Sequence, residues 1–359
     1  MLLIVTFLSL PNSREFMPPV PLHSINKLSS LKLIIALVVP PVNPHNDTSD
    51  EHLIIEARTV FNKLNKITIS RLITEKQNEI EQEISKLESA ATKTTNPKAR
   101  YYIYKVCDLY AIVYKKPADR VPYLKKMLEI IDHEVTDITE REKALTHFKI
   151  ADNLYDENKI EEAHKYIYDL YVTRPESFKG LLSGYHLLIE TAILLKKYDL
   201  AESILNTEFN NAIADQEDPF CSFAHLNYTK LYLHKGDYEK AIAQIIELKK
   251  IPHQLPNAMQ EVKLRMFEKI SFFLVGDMDY ASQLIPINKV FFDDSKILER
   301  SSHLKQIVSS IDICIDAALH KKPLPRKTFN TIQHLNTGPN AIFGVLLMRM
   351  ASTLPKSLW

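Results

Sequence analysis

The sequence predicts a mainly α-helical fold, an array of helical hairpins (TPR/HEAT-like) ending in a small winged-helix module, on three observations. Glycine is scarce, with 6 among 359 residues, where ordinary usage near 7% gives about 25. Apolar residues recur at i, i+3, i+4 and i+7 along much of the chain, the spacing that lines one face of a helix. Through the middle of the chain an alanine near the start of a helix recurs about every 39 residues, a period of helical-hairpin repeats. The apolar share of 45% and charged share of 25% are those of a chain able to bury an ordinary core.

Residues 1–50 read as a leader, poorly structured or locally packed. Leu2–Leu10 and Leu31–Val39 are apolar runs stopped by Pro11 and by Pro40-Pro41. Each is shorter than the ~20 apolar residues that cross a bilayer, so no membrane partner is expected. The first run lacks the basic leader and small-residue cleavage site of a secretory signal. Signal, anchor and plain extension all stay open for it.

Residues 51–276 read as a helical-repeat solenoid. The Asn46–Asp50 cluster supplies N-cap residues, and Leu53, Ile54, Ala57, Val60, Phe61 and Leu64 share one helix face. Lys76–Glu88 is mostly charged and reads as a solvated helix. After the polar linker Thr92–Pro97 a helix spans Ala99–Tyr114, with Tyr102, Val106, Leu109 and Val113 at helical spacing. Lys115-Lys116-Pro117 breaks it; Val121-Pro122 opens another through Ile131, and Thr136–Thr139 caps the next.

Three segments then resemble each other: Ala144–Tyr171, Tyr185–Phe209 and Ala224–Leu248. Each is an apolar helix, a polar break and a second helix marked by Ala163, Ala201 or Ala241. Where two helices cross just past a tight turn, little more than a methyl group fits between them. One hairpin cannot bury its apolar face alone and stacks on a neighbour.

Residues 277–330 read as the winged-helix-like module. Tyr280–Ile287 is a short amphipathic piece, and Asp293-Asp294-Ser295 caps a helix through Leu304. Ile311, Ile313 and Ile315 alternate with Asp312, Cys314 and Asp316, a strand period. Residues 331–359 are a C-terminal tail or helix.

The same composition excludes function classes. With so little glycine, no G-x-G-x-x-G, Walker A or G-x-S-x-G motif can be written. A formal net charge of +1 gives no field for nucleic acid or anionic lipid. Cys107, Cys221 and Cys314 are odd in number and far apart, which suits small buried hydrophobes in a reducing, cytoplasmic setting. Among 13 histidines, His147, His164, His225 and His234 lack metal-binding spacing and read as surface or packing residues. Asp293-Asp294 reads as a helix cap and not as a cation site. The tyrosines of 101–114 and 166–171 read as core and groove residues rather than a base-stacking platform. Lys249, Lys250, Lys263, Arg265 and Lys269 read as a solvated basic strip, with contact to RNA or an acidic helix as the functional alternative. No catalytic, cofactor-binding or metal residue is assigned, no small-molecule substrate is expected, and the chain is expected not to be an enzyme.

Helical hairpins followed by a winged helix resemble the PCI-domain family, which supplies subunits of the proteasome lid, the COP9 signalosome and eukaryotic translation initiation factor three. Arg100, Tyr101 and Tyr104 in Asn96–Tyr104 are similar to that family's Arg-aromatic helix start, most of all in its initiation-factor m-subunit branch. Val121-Pro122 stands where that branch has Ile-Pro. Thr139-Glu140-Arg141, Leu145, Ala151 and Ala163-His164-Lys165 resemble its next hairpin, and Lys263–Met266 the helix leading into the winged helix. The likeness spans about residues 90–330 and rests on spacing and short matches. Leu188–Ile287 fits a proteasome-lid member almost as well, no second wing strand is visible, and Thr331–Trp359 matches nothing. The resemblance implies a non-catalytic scaffold in translation initiation, partnered with sister PCI subunits and with weak ribosome or RNA contact. A proteasome-lid scaffold is the alternative within the family, and a helical-repeat peptide-binding regulator the alternative outside it.

Overall fold

A computed structural model describes residues 49–70, 77–114, 117–133, 139–179, 181–214, 220–251, 258–337 and 340–355. The two leader runs, Thr136 and the Lys115-Lys116 break lie outside them. Among the described residues the fold is mainly α-helical and has no strand. None of these helices is long and apolar enough to cross a membrane. The chain divides into two compact units, one of residues 49–157 and 165–185, the other of 158–164 and 186–355.

The first unit contains α1 (Ser49–Ser70), α2 (Gln77–Ala91), α3 (Pro97–Tyr114), α4 (Val121–His133), α5 (Glu140–Asp156) and α7 (Pro175–Phe178). Helix α6 (Ile160–Thr173) contributes its later turns. Contacts run α1 to α3, α2 to α3, α3 to α4 and α4 to α5. The charged stretch expected to be solvated is α2. It keeps its charges outward but buries Ile80, Ile84, Leu87 and Ala91, a narrow stripe at helical spacing. Asn96 caps α3 by accepting from the backbone N–H of Lys98 and Ala99 at 3.0 and 3.1 Å, with Pro97 at the first position, where its missing N–H loses nothing. Thr139 caps α5 through the N–H of Glu142.

The second unit holds α8 (Leu182–Leu194) beyond its start, α9 (Tyr198–Ala214), α10 (Cys221–Lys235), α11 (Tyr238–Lys250), α12 (Ala258–Val275), α13 (Met278–Ser295), α14 (Ser302–Leu319), α15 (Arg326–Leu335) and α16 (Ala341–Thr353). A single turn geometry recurs. Asn158, Lys196, Gly236 and Gly276 all have positive φ, at 62°, 59°, 96° and 94°. Ala163, Ala201, Ala241 and Ala281 follow each by five residues and are fully buried. The backbone closes the last three of these turns with a six-residue hydrogen bond: Lys197 N–H to Ala192 O at 2.8 Å, Asp237 N–H to Tyr232 O at 2.9 Å and Asp277 N–H to Phe272 O at 2.9 Å. This left-handed cap satisfies carbonyls that a helix end leaves open.

The module expected over 277–330 is corrected here. Gly276 does not close the repeats; it is the turn of a fourth hairpin, and Tyr280–Ile287 is part of the 18-residue α13. Asp293-Asp294-Ser295 ends that helix and starts none; the cap of the next is Ser301, which accepts from Leu304 N–H. Ile311 to Asp316, expected as a strand, lie inside α14. Leu304, Ile307, Val308, Ile311, Cys314 and Ile315 are its buried stripe, so a long helical period outweighs six residues of alternation. Cys314 misled that reading, because the thiol packs as a hydrophobe and is fully buried. Without a sheet among residues 277–330 there is no winged helix there. The region expected as a tail or helix, 331–359, holds the end of α15 and all of α16, which pack on each other.

Candidate functional site

In the second unit the helices preceding the left-handed turns at Lys196, Gly236, Gly276 and Lys321 (φ 49°), which are α8, α10, α12 and α14, form a row of first helices. Helix α10 touches α12, and α12 touches α14, while side chains join α8 to α10. Helix α10 has no solvent face of its own: residues Cys221–Leu231, Leu233 and His234 are all buried. Its polar side chains must find partners inside, since an unpaired buried polar group is costly.

Asn227 and Lys230 do so in one network. Lys230 is fully buried; its Nζ donates to Asn227 Oδ1 at 3.0 Å and to His186 Nδ1 at 3.2 Å, and stands 3.7 Å from Glu190 Oε1. His186 Nε2 lies 3.3 Å from Glu190 Oε2. Accepting at Nδ1 requires the neutral ring with its proton on Nε2, which then donates to Glu190. Burial works against the Glu190 carboxylate, but Lys230 and then His186 outweigh it and hold its pKa down to about 2. Burial lowers His186 to about 3, helped by Lys230. It lowers Lys230 to about 8, resisted by Glu190. Lys263 of α12 adds a second positive charge that bears on all three groups.

The row continues beyond this network. Lys269 on α12, fully buried, is ion-paired with Asp312 on α14. Glu268, buried beside it, is paired with Lys249 of α11. His234, near the end of α10, is 3.1 Å from Ile342 O on α16, and burial beside Arg349 lowers it to about 4. The first unit has a comparable buried triad: Asp108 meets Arg120 at 3.0 Å and Lys149 at 2.8 Å. Burial would raise the Asp108 carboxyl, but Lys149 and Arg120 hold it below the ordinary range.

The expected solvated basic strip is therefore not one surface. Lys249 and Lys269 pair with buried acids as above, Lys250 with Glu247 at 2.7 Å, and Arg265 with Glu261 at 2.7 Å while lying over the Phe291 ring. The histidines are packing residues. His147 meets Tyr166 OH at 3.0 Å, His164 meets Thr191 Oγ1 at 3.0 Å, and His225 meets Gln244 Oε1 at 2.7 Å. Tyr101, Tyr104 and Tyr110 are buried in the core of the first unit. Cys107, Cys221 and Cys314 are free and buried. No group of three or more His, Cys, Asp or Glu able to hold a metal occurs among the described residues.

Sequence reasoning missed the Glu190–Lys230 network. The polar residues of α10 are visible in the sequence, but their partners lie on α8, more than thirty residues earlier. The fourth hairpin had a clear signal that went unused: Gly276-Asp277 with Ala281 copies Gly236-Asp237 with Ala241 about 40 residues on.

Chemically, the network locks helices in register. Each charge inside it is matched by a hydrogen bond or an ion pair, so a slide of one helix against the next would strand a charge. No protein-family model matches the chain, and no curated protein or solved structure matches it.

Proposed function

We propose that this chain is a non-catalytic scaffold built as a helical-repeat solenoid, whose row of first helices presents a protein-binding face. The observation that carries this reading is the repeated turn, positive φ at residues 158, 196, 236 and 276 and a fully buried alanine five residues later. Such an array stacks hairpins into a surface larger than one domain face, and its typical work is holding other chains. The buried charge pairs add support, because sliding one helix past the next would strand a charge.

The PCI-complex reading, in translation initiation or in the proteasome lid, rests on the short matches at Asn96–Tyr104 and Lys263–Met266. It has lost the winged helix through which such subunits would pair. A peptide-binding regulator uses the same face for a short ligand.

Affinity purification of the full chain from its own cells, with crosslinking and mass spectrometry, tests the proposal. Stoichiometric protein partners crosslinked to the first helices are expected. Small-subunit ribosomal proteins would favour the translation reading and proteasome subunits the lid reading. A chain that returns alone under crosslinking, with no partner at any abundance, would overturn the scaffold.

A further inference from the structure

We infer that the face formed by α10, α12 and α14 is a helix-binding site, and that α16 is its resident occupant, seated where a partner's amphipathic helix of the same chemistry binds. This deepens the scaffold reading and rests on it.

The hairpins pair with one another through contacts that do not involve α16. Helix α10 packs on α11, α12 on α13 and α14 on α15, and successive hairpins meet through α11 with α12 and α13 with α14. Helix α16 comes after these pairs and lies against the first helices of three of them, α10, α12 and α14. It thus spans the row rather than extending it.

Its contacts are those of a bound helix. Ile342, Phe343, Leu346, Leu347 and Met350 are buried at spacings that make one broad apolar face. Phe343 stacks on Phe267 of α12, with ring centroids 4.9 Å apart and planes at 13°. Both ends are clasped by polar groups. Arg349 donates through Nη1 to Leu233 O at 2.6 Å and through Nη2 to His234 O at 2.9 Å. These are carbonyls at the end of α10, where a helix leaves acceptors open and favours a cation. His234 Nε2 donates to Ile342 O at 3.1 Å. The site therefore asks for a helix with an apolar face of this width and an arginine that reaches the end of α10.

The means of holding α16 down is separate from the site. At Gly344 an added Cβ would lie 2.4 Å from Leu335 O and 2.4 Å from Asn336 Cα, both backbone atoms at the end of α15. Gly344→Ala therefore lifts α16 without altering any residue of α10, α12 or α14.

The test uses the full chain and, as probe, a fluorescein-labelled synthetic peptide of residues 340–355. In the unaltered protein, α16 amides should exchange hydrogen at least tenfold faster than those of α10 and α12, opening as a unit of their own. The Gly344→Ala protein should bind the probe at least tenfold more tightly than the unaltered protein. A probe carrying Arg349→Ala should lose at least tenfold of that affinity. Three results would overturn the inference: α16 exchanging in step with α10 and α12, loss of helical signal across the whole second unit in Gly344→Ala, or an open α16 with no gain in probe binding. None of them touches the purification test above, so the scaffold reading can stand while this one falls.

Discussion

Lys230 shows how a residue that looks like surface becomes core. It is fully buried on a helix with no solvent face, and Glu190, Asn227 and His186 surround its ammonium. Removing one member of such a pair leaves the other as an unpaired buried charge, which typically costs about 3–5 kcal/mol. Glu190→Gln and Lys230→Met are each expected to lose that much in urea denaturation, and the double change Glu190→Leu/Lys230→Met to recover most of it. The same groups set a pH response. His164 and His234 are held near 4 and His186 near 3, against an ordinary 6.5. Between pH 6.5 and 4 the unfolded chain binds more protons than the folded one, so stability falls as pH drops through that window. Glu190, near 2 when folded against an ordinary 4.5, extends the loss from pH 4.5 downward. The His234 contribution alone is roughly 3 kcal/mol. Thermal denaturation across this range should show the decline, and His234→Gln should flatten its upper part.

At the scale of elements, the repeated turn is the informative unit. Lys196 carries a positive φ of 59° in the position where Gly236 and Gly276 stand in later hairpins. A side chain in the left-handed region is strained by roughly 1–2 kcal/mol. Lys196→Gly should therefore raise stability by up to about 1 kcal/mol after the added freedom of the unfolded chain is counted. Gly236→Ala should lower it by about 1 kcal/mol. The opposite signs, read from denaturation midpoints, would identify the two positions as one turn; equal signs would show that they are not. The fully buried Ala201 and Ala241 sit at the helix crossing, and a leucine at either is expected to lose about 1–3 kcal/mol by overpacking. Most helices and the Thr139 cap were legible because spacing and capping act over a few residues: Thr139 and the alanines are where local chemistry puts them. Residues 311–316 were misread because a six-residue window cannot separate a strand from a helix whose apolar stripe is wide.

At the scale of the molecule, each of the two units carries its own charge network, Asp108–Arg120–Lys149 in one and Glu190–Lys230 in the other. Asp108→Ala should raise hydrogen exchange across α3 to α5 and leave α10 to α14 unchanged, and Glu190→Gln should do the reverse. Exchange rising in both units for either change would mean that they unfold as one. The sequence by itself determined that the chain is helical, where most of its helices lie, and that its middle is built from hairpins with an alanine at the crossing. All of that follows from interactions between residues a few positions apart. Tertiary structure alone decided which charges are buried and that α16 lies across the row of first helices. Those outcomes join residues from about 40 to more than 100 positions apart, such as Glu190 with Lys230 and Leu233 with Arg349. Burial is a property of what packs over a side chain, and no local pattern in the sequence specifies it.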